Sequence, residues 1–202
     1  MNPPPLSPQV APPSSAGAPG AEGEVWTIGH STHPLSDFVQ MLQAYGIEAI
    51  ADVRRFPGSR RHPHFGGEAL AAALAGNGIA YQWFSDLGGR RRPDFDEAEG
   101  NAWRHPSFRA YAQHLRSEEF ATGLASLQHV AKACRTAVMC SELLWWRCHR
   151  RLIADVMLFC GWRVTHILGP KECSAHAFAP PVHVSADGLS YTLPHTEGAA
   201  CC

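Results

Sequence analysis

The sequence predicts a single-domain α/β protein with a mainly parallel sheet of about five strands and helices on both of its faces. Three observations carry this prediction. Short apolar segments alternate with amphipathic ones along most of the chain, and glycine or proline separates many of them. The first strand, helix and strand are spaced as in a βαβ unit, which makes the two strands parallel. A chain of 202 residues is also long enough for one complete hydrophobic core.

The N-terminal part predicts a tail followed by a strand, a helix and a second strand. Residues 1–23 are mainly Pro, Ala, Gly and Ser and predict a disordered tail, because they offer almost no large apolar side chain to bury. The apolar run Val25–Gly29 predicts the first strand. Pro34 suits the first turn of a helix that continues on an apolar stripe to about Tyr45. The run Glu48–Arg54 predicts the second strand.

The middle of the chain predicts a loop, two helices and a third strand. Phe56–Gly67 is punctuated by Pro and Gly and predicts a loop, which is where binding residues are often found. An alanine-rich helix is predicted over Glu68–Ala75 and a third strand over Ile79–Phe84. A single long helix is predicted from Ser107 to about Cys134, because apolar residues recur along it with helical spacing.

The C-terminal part completes the predicted domain. Thr136–Cys140 predicts the fourth strand, Cys148–Cys160 a helix and Trp162–Leu168 the fifth strand. We therefore expect the α/β domain to span 24–170.

Residues 171–202 are expected to form a C-terminal extension that is a small hairpin or irregular. Alternating side chains on either side of Asp187 and Gly188 favour the hairpin.

Composition excludes several function classes. The formal net charge of −1 argues against a whole-chain field that attracts nucleic acid or membrane. Only Lys132 and Lys171 are lysines among the 17 basic residues, so the basic charge is nearly all arginine, which suits bidentate phosphate binding. Seven cysteines, with no apolar leader before them, favour reduced thiols in the cytoplasm. No apolar run reaches the roughly 18 residues that a membrane span needs.

Polar residues follow the first two predicted strands. His30 and Ser31 come after the first strand, and Asp52 and Arg54 close the second. Ligands of parallel sheets bind beyond the carboxyl ends of the strands, so these residues are site candidates. Arg60, in the loop after the second strand, is a candidate phosphate ligand. For each of them a structural role is an alternative; Asp52 and Arg54 lie two apart in a strand and could pair with each other.

The main chemical signal lies between the fourth strand and the following helix, where Cys140, Glu142, Cys148, His149 and Arg150 occur together. Thiolates and imidazole suit zinc, but the spacing argues against a metal site, because adjacent side chains on a helix point in different directions. A thiol in the first turn of a helix beside arginines would be acidified, so Cys140 and Cys148 are possible reactive thiols.

The cysteine-x5-arginine loop of thiol phosphatases is absent, because the sixth residue after Cys140 is Trp146 and the sixth after Cys148 is Ala154. The two cysteines could instead be small buried core residues.

These motifs occur in the order found in a known family. The matching blocks are Thr27-Ile-Gly-His-Ser31, Asp52-Val-Arg54, Pro57, Ser59-Arg60, Leu87-Gly88-Gly89, Cys140-x-Glu142 and Cys148-His-Arg150. On these blocks the chain resembles the domain of unknown function 488 family, and its Trp-Trp-Arg-Cys-His-Arg motif is similar to one bacterial branch. The resemblance implies an α/β fold and motif roles for these positions, and it implies no particular reaction.

The arginines and aromatic residues near the strand ends favour a phosphate-bearing nucleotide or nucleic acid as the ligand. Arg54, Arg60 and Arg150 are expected to hold phosphate, with Ser31 beside them. No cofactor and no membrane partner are expected, and the oligomeric state is left open.

The predicted reaction is hydrolysis of a phosphoester or N-glycosidic bond. Glu142 or Asp52 is expected to activate water or protonate the leaving group, and His30 or His149 to assist. Glu142 and Arg150 are thus expected to face the residues that follow the first two strands. A non-catalytic nucleic-acid or nucleotide-binding module is one alternative, and a redox or sulfur-handling protein that uses its cysteines is another.

Overall fold

The fold is taken from a computed structural model of the chain. The structure describes residues 22–58, 61–92, 102–185 and 188–191. The predicted N-terminal tail up to residue 21, the candidate phosphate ligand Arg60 and the predicted turn residue Asp187 lie outside the described residues.

The core of the protein is a six-stranded sheet with the strand order β3-β2-β4-β1-β5-β6. Its strands are β1 (Gly23–Gly29), β2 (Ala49–Asp52), β3 (Ala80–Trp83), β4 (Thr136–Cys140), β5 (Trp162–Gly169) and β6 (Glu172–Ala175). The first five strands are parallel, and β6 pairs antiparallel to β5. The predicted mainly parallel α/β fold is thus confirmed.

Within the described residues, five α-helices cover the two faces of this sheet. They are α1 (Leu35–Ala44), α2 (Gly67–Ala75), α3 (Pro106–His114), α4 (Glu118–Ala133) and α5 (Arg150–Phe159). Phe38 of α1 and Leu70 of α2 pack in one core cluster with Ile28 and Ile50 of the sheet. The opposite face holds a second core cluster, with side chains of α3, α4 and α5. Apolar side chains on both faces explain why β2 and β4 are buried throughout.

The predicted long helix from Ser107 to Cys134 is wrong: the chain forms two helices, α3 and α4. The break lies at Ser117, whose Oγ accepts the backbone N–H of Phe120 at 3.1 Å. A serine in this position satisfies one of the unpaired donors at a helix start, and Glu118 and Glu119 follow in the first turn, where negative charge is favoured. Helical periodicity continues across the break, so the apolar pattern alone does not reveal it.

The predicted helix from Cys148 begins two residues later than expected. A short 3₁₀ helix at Trp145–Arg147 precedes it, and α5 starts at Arg150. Cys148 is in extended conformation (φ −120°, ψ 151°), so it is not in the helix.

The segment after residue 170, expected as an extension, contributes to the sheet and to the core. Cys173 on β6 and Tyr191 are both buried. β6 was not predicted, because its residues Glu-Cys-Ser-Ala have no strand-like apolar pattern. β7 (His183–Ser185) and β8 (Gly188–Ser190) form an antiparallel pair where a hairpin was expected.

None of the helices in the described part of the chain combines the length and hydrophobicity that a bilayer-spanning segment requires.

Candidate active site at the carboxyl ends of the strands

The connections that follow β1 and β4 diverge to opposite faces of the sheet. β1 and β4 are hydrogen-bonded neighbours, but α1 packs on one face and α5 on the other. This divergence marks a topological switch point, the place where open α/β sheets bind ligands. The two connections stay together at their start, because Ser31 donates its backbone N–H to the carbonyl oxygen of Ser141 at 3.0 Å.

Two residues at this switch point are locally constrained. Ser31 has a φ of 46°, in the left-handed region that non-glycine residues rarely adopt. A Cβ on Gly29 would lie 1.9 Å from the carbonyl oxygen of Glu142, so only glycine allows the end of β1 to approach the connection after β4. The backbone is therefore tightly constrained where the connections that follow β1 and β4 begin.

The predicted site residues do not converge in one cleft. Side chains alternate between faces along a strand, so His30 and Asp52 share the α1 and α2 face with Ile28 and Ile50. Cys140 shares the opposite face with Val138. Arg150, which was expected to face His30, Asp52 and Arg54, extends instead toward Thr27 on the face that Cys140 shares.

The first group, here called the aspartate cluster, comprises His30, Asp52, Arg54 and Tyr81. Asp52 accepts the backbone N–H and the Nε of Arg54 at 3.0 and 2.9 Å, and the hydroxyl of Tyr81 at 2.7 Å. The Nη2 of Arg54 also pairs with the carboxylate. The predicted pairing of Asp52 with Arg54 is observed, and both residues are buried.

Arg54 also holds the loop that follows β2. Its Nη1 donates to the carbonyl oxygen of Phe65 at 2.8 Å and lies 3.2 Å from Nε2 of His30. His30 stacks on Phe65 with ring centroids 4.1 Å apart, and its Nδ1 donates to the carbonyl oxygen of Ser31 at 3.0 Å. Because Nδ1 carries the proton, Nε2 is free to accept the hydrogen bond from Arg54.

The charged groups of the aspartate cluster, Asp52 and Arg54, neutralise each other, and His30 carries no charge at pH 7. Burial, and then the Arg54 guanidinium, lower the pKa of His30 to about 4, so the ring is neutral at pH 7. Burial opposes the charge of Arg54, but the hydrogen bond and charge of Asp52 outweigh it and raise the pKa of Arg54. Arg54 is buried and its charge is paired with Asp52, which leaves it poorly placed to bind a phosphate as predicted.

The second group, here called the cysteine cluster, comprises Cys140, Cys148 and His149. Nδ1 of His149 lies 3.5 Å from Sγ of Cys148 and 3.9 Å from Sγ of Cys140. Because Cys148 and His149 precede the first turn of α5, their side chains converge, which is contrary to the geometric argument made against a metal site. Both thiols are buried, and His149 is partly exposed.

The two thiols differ in acidity. A hydrogen bond to Cys148, together with burial, raises the pKa of Cys140. Burial opposes ionisation of Cys148 as well, but the hydrogen bond from Cys140 and the charge of Arg150 outweigh it and lower the pKa of Cys148. Cys148 is therefore the more acidic thiol of the pair.

Glu142 and Arg150 are in contact, but Arg150 binds the backbone of Glu142 and not its carboxylate. Nη2 of Arg150 donates to the carbonyl oxygen of Glu142, whereas the carboxylate of Glu142 belongs to an exposed side chain. Arg150 is 1% exposed, so the predicted phosphate ligand is a buried support of the connection after β4. Trp145 and Trp146, farther along this connection, are partly exposed.

A buried chain of hydrogen bonds extends from Arg150, and the sequence analysis missed it. Nη1 of Arg150 lies 3.4 Å from Oγ1 of Thr27, which is 2.7 Å from Nδ1 of His166. Nε2 of His166 lies 3.0 Å from Nδ1 of His176, whose Nε2 is 2.9 Å from Asp155.

Tyr191 completes this chain by donating to Asp155 at 2.7 Å. Trp145 stacks on His166 with ring centroids 4.0 Å apart, which joins the chain to the connection after β4. In the sequence, the only sign of this hydrogen-bond chain was a polar residue within an otherwise apolar strand, Thr27 in β1 or His166 in β5.

The comparisons with known proteins identify the family. The family model described as Domain of unknown function DUF488 matches residues 34–157, which include the residues of the cysteine cluster and Asp52 and Arg54 of the aspartate cluster. No curated protein and no solved structure matches the chain. Because the match covers more than half of the 202 residues, the chain belongs to the DUF488 family.

Proposed function

We propose that the chain is an enzyme that hydrolyses a bond in a phosphate-bearing nucleotide or nucleic acid. The observation that carries this proposal is the topological switch point between β1 and β4, beyond whose carboxyl ends lies the exposed side chain of Glu142. The proposed site is the crevice between the connections that follow these two strands.

Glu142 is the proposed general base. Its backbone carbonyl is held by the buried Arg150, so the residue is anchored while its carboxylate stays exposed. In the proposed step the carboxylate takes a proton from water as the water oxygen attacks phosphorus or the sugar carbon. The P–O or N-glycosidic bond breaks, and the proton that Glu142 took from water passes to the leaving group, so that one water is added across the bond.

Exposed groups of the same connection are suited to the rest of the ligand. Trp146 is partly exposed and offers a ring face on which a base could stack, and Trp145 is partly exposed although one of its faces stacks on His166. Arg147 is exposed and can therefore reach a phosphate group. It suits phosphate binding better than Arg54 and Arg150 do, because those two arginines are buried. Arg60 and Ser31 stay in the proposal as further phosphate contacts. The proposal also keeps Asp52, His30 and His149, as groups that assist the reaction while Glu142 acts as the general base.

The test separates binding from turnover at Glu142. Nucleoside mono-, di- and triphosphates and single- and double-stranded oligonucleotides are screened by thermal shift, because a ligand that binds only the native state raises its melting temperature. Chromatography then detects released phosphate, free base or shortened oligonucleotide. We expect Glu142→Gln to lower turnover at least 100-fold, a loss typical of a missing general base, while the thermal shift is kept.

Glu172→Gln is the matched control, because Glu172 is an exposed carboxylate on β6. It should keep both binding and turnover. Equal loss of binding and turnover in Glu142→Gln, or loss of neither, contradicts the assignment of Glu142. Salt-dependent binding without any product would identify a non-catalytic binding module instead.

A cysteine-based reaction is the second candidate, and the lowered pKa of Cys148 beside His149 favours it. It predicts the reverse result, in which Cys148→Ser abolishes turnover and Glu142→Gln does not. For either reaction we propose a cytoplasmic setting, because reducing conditions keep both cysteines as thiols.

A further inference from the structure

The cysteine cluster brings three potential metal ligands together from two parts of the chain. Cys140 ends β4, whereas Cys148 and His149 precede α5. Their Sγ and Nδ1 atoms all lie within 4.8 Å of one another. Soft thiolates with an imidazole are ligands that zinc and related transition metals prefer.

The distances fit a common tetrahedral centre. Bond lengths of about 2.3 Å to sulfur and about 2.0 to 2.1 Å to nitrogen place ligand N and S atoms about 3.6 Å apart in a tetrahedron. The observed separations of His149 Nδ1 from the two Sγ atoms are 3.5 and 3.9 Å. The two nitrogen–sulfur distances therefore fit a shared metal ion, and the two sulfur atoms lie within 4.8 Å of each other, where a tetrahedral centre needs about 3.8 Å.

The imidazole of His149 is already oriented for such a role. Its Nε2 lies 2.9 Å from the carbonyl oxygen of Val53, which can only accept, so Nε2 carries the proton. The lone pair of Nδ1 is then directed toward the two sulfur atoms. A histidine whose second nitrogen donates to a backbone carbonyl is the usual arrangement of a metal ligand.

Packing holds the ring in this position. A Cβ on Gly89 would lie 2.7 Å from Nδ1 of His149, so the backbone at Gly89 lies directly against the ring. Tyr111 contacts the same ring with centroids 5.0 Å apart. The backbone N–H of Arg150 is directed at Sγ of Cys148 at 3.5 Å and supports negative charge on that sulfur.

We propose that Cys140, Cys148 and His149 bind one zinc ion or a similar transition-metal cation. In the described part of the chain no fourth His, Cys, Asp or Glu joins the group. Three protein ligands leave a fourth position for water or substrate, as in catalytic rather than structural zinc sites. Binding of the ion does not rest on the proposed function, whereas a role for it in activating water would.

Metal content and ligand type test this proposal on the untagged, full-length chain. Elemental analysis after purification in zinc-supplemented buffer and desalting should find about one zinc per chain. After chelation, added Co²⁺ should produce thiolate-to-cobalt charge-transfer absorption and the intense visible bands of a tetrahedral site. X-ray absorption on the wild type should report two sulfur and one or more nitrogen neighbours, which keeps the test valid if variants fail to fold.

Cys140→Ser, Cys148→Ser and His149→Gln should each weaken Co²⁺ binding at least tenfold. Cys160→Ser is the matched control, because Cys160 is a half-buried thiol at the end of α5 and should leave binding unchanged. A chain that stays metal-free and gives no charge-transfer band would overturn the proposal. So would binding that survives all three substitutions, or a Cys140–Cys148 disulfide found by mass spectrometry in place of the metal.

Discussion

The aspartate cluster and the cysteine cluster lie at the same end of the sheet, on opposite faces, and they differ in how their polar atoms are used. In the aspartate cluster, carboxylate, guanidinium, imidazole and hydroxyl groups bind one another. In the cysteine cluster, two sulfur atoms and one nitrogen lone pair converge instead. Saturated polar groups serve stability, whereas converging lone pairs offer a site for a further atom. Apart from Tyr81, the residues of both clusters belong to the motif blocks seen in the sequence, so a motif position alone does not separate structure from chemistry.

The largest effect expected from this comparison is on stability, in the aspartate cluster. Asp52→Ala leaves the buried Arg54 without its counter-charge, and breaking a buried pair from one side costs about 3–5 kcal/mol. Glu119→Ala is the control, because it removes an exposed partner of Arg91 and should cost about 1 kcal/mol or less. Urea unfolding measures both. Similar small losses would show that the aspartate cluster does not stabilise the fold.

The next effect is a pH dependence set by His30. Its folded pKa of about 4 lies below the ordinary value of 6.5, so the unfolded chain binds the proton more readily between these pH values. Stability should therefore fall as pH drops from 6.5 to 4, by about 3 kcal/mol in total for this group, and should be unaffected by it above 6.5.

Other buried histidines, such as His166, have a lowered pKa and act in the same direction, so the wild type is compared with His30→Gln. Chemical unfolding across the pH range should show a shallower slope for the variant. Identical slopes would mean that His30 is not held neutral by the cluster.

The smallest stability effect is expected in the cysteine cluster. Gly89→Ala places a methyl group 2.7 Å from Nδ1 of His149, and overpacking of this kind costs about 1–3 kcal/mol. Because the ring must move, the variant should also bind Co²⁺ more weakly than the wild type. Gly58→Ala, where an added Cβ meets no atom of the described residues within 4 Å, is the control. Unchanged Co²⁺ affinity in Gly89→Ala would contradict the importance of the ring position.

Local patterns in the sequence predicted most elements of the fold, whereas long-range pairing was beyond them. The apolar run before His30 and the proline at residue 34 were enough to predict β1 and α1. Nothing in periodicity indicates that β4 lies between β1 and β2, or that α1 and α5 pack on opposite faces of the sheet.

An error of two residues in the predicted start of α5 changed the interpretation of the cysteine cluster. Starting a helix at Cys148 instead of Arg150 turns converging side chains into diverging ones, and on that basis the sequence argued against a metal. Helix boundaries are the least reliable feature of a sequence pattern, because ends depend on local hydrogen bonds rather than on periodicity. Glu142, by contrast, was correctly expected just beyond the fourth strand, since a strand end requires only the local pattern.

The position of β1 in the sheet has a consequence for synthesis of the protein. Both neighbours of β1, the strands β4 and β5, lie after residue 135, whereas β2 and β3 can pair much earlier. While the ribosome is still translating α4, the apolar β1 has no strand to join, and contacts so distant in sequence form slowly. A nascent or truncated chain that ends before β4 therefore exposes an unpaired hydrophobic strand, which makes it prone to aggregation and a natural client for chaperones.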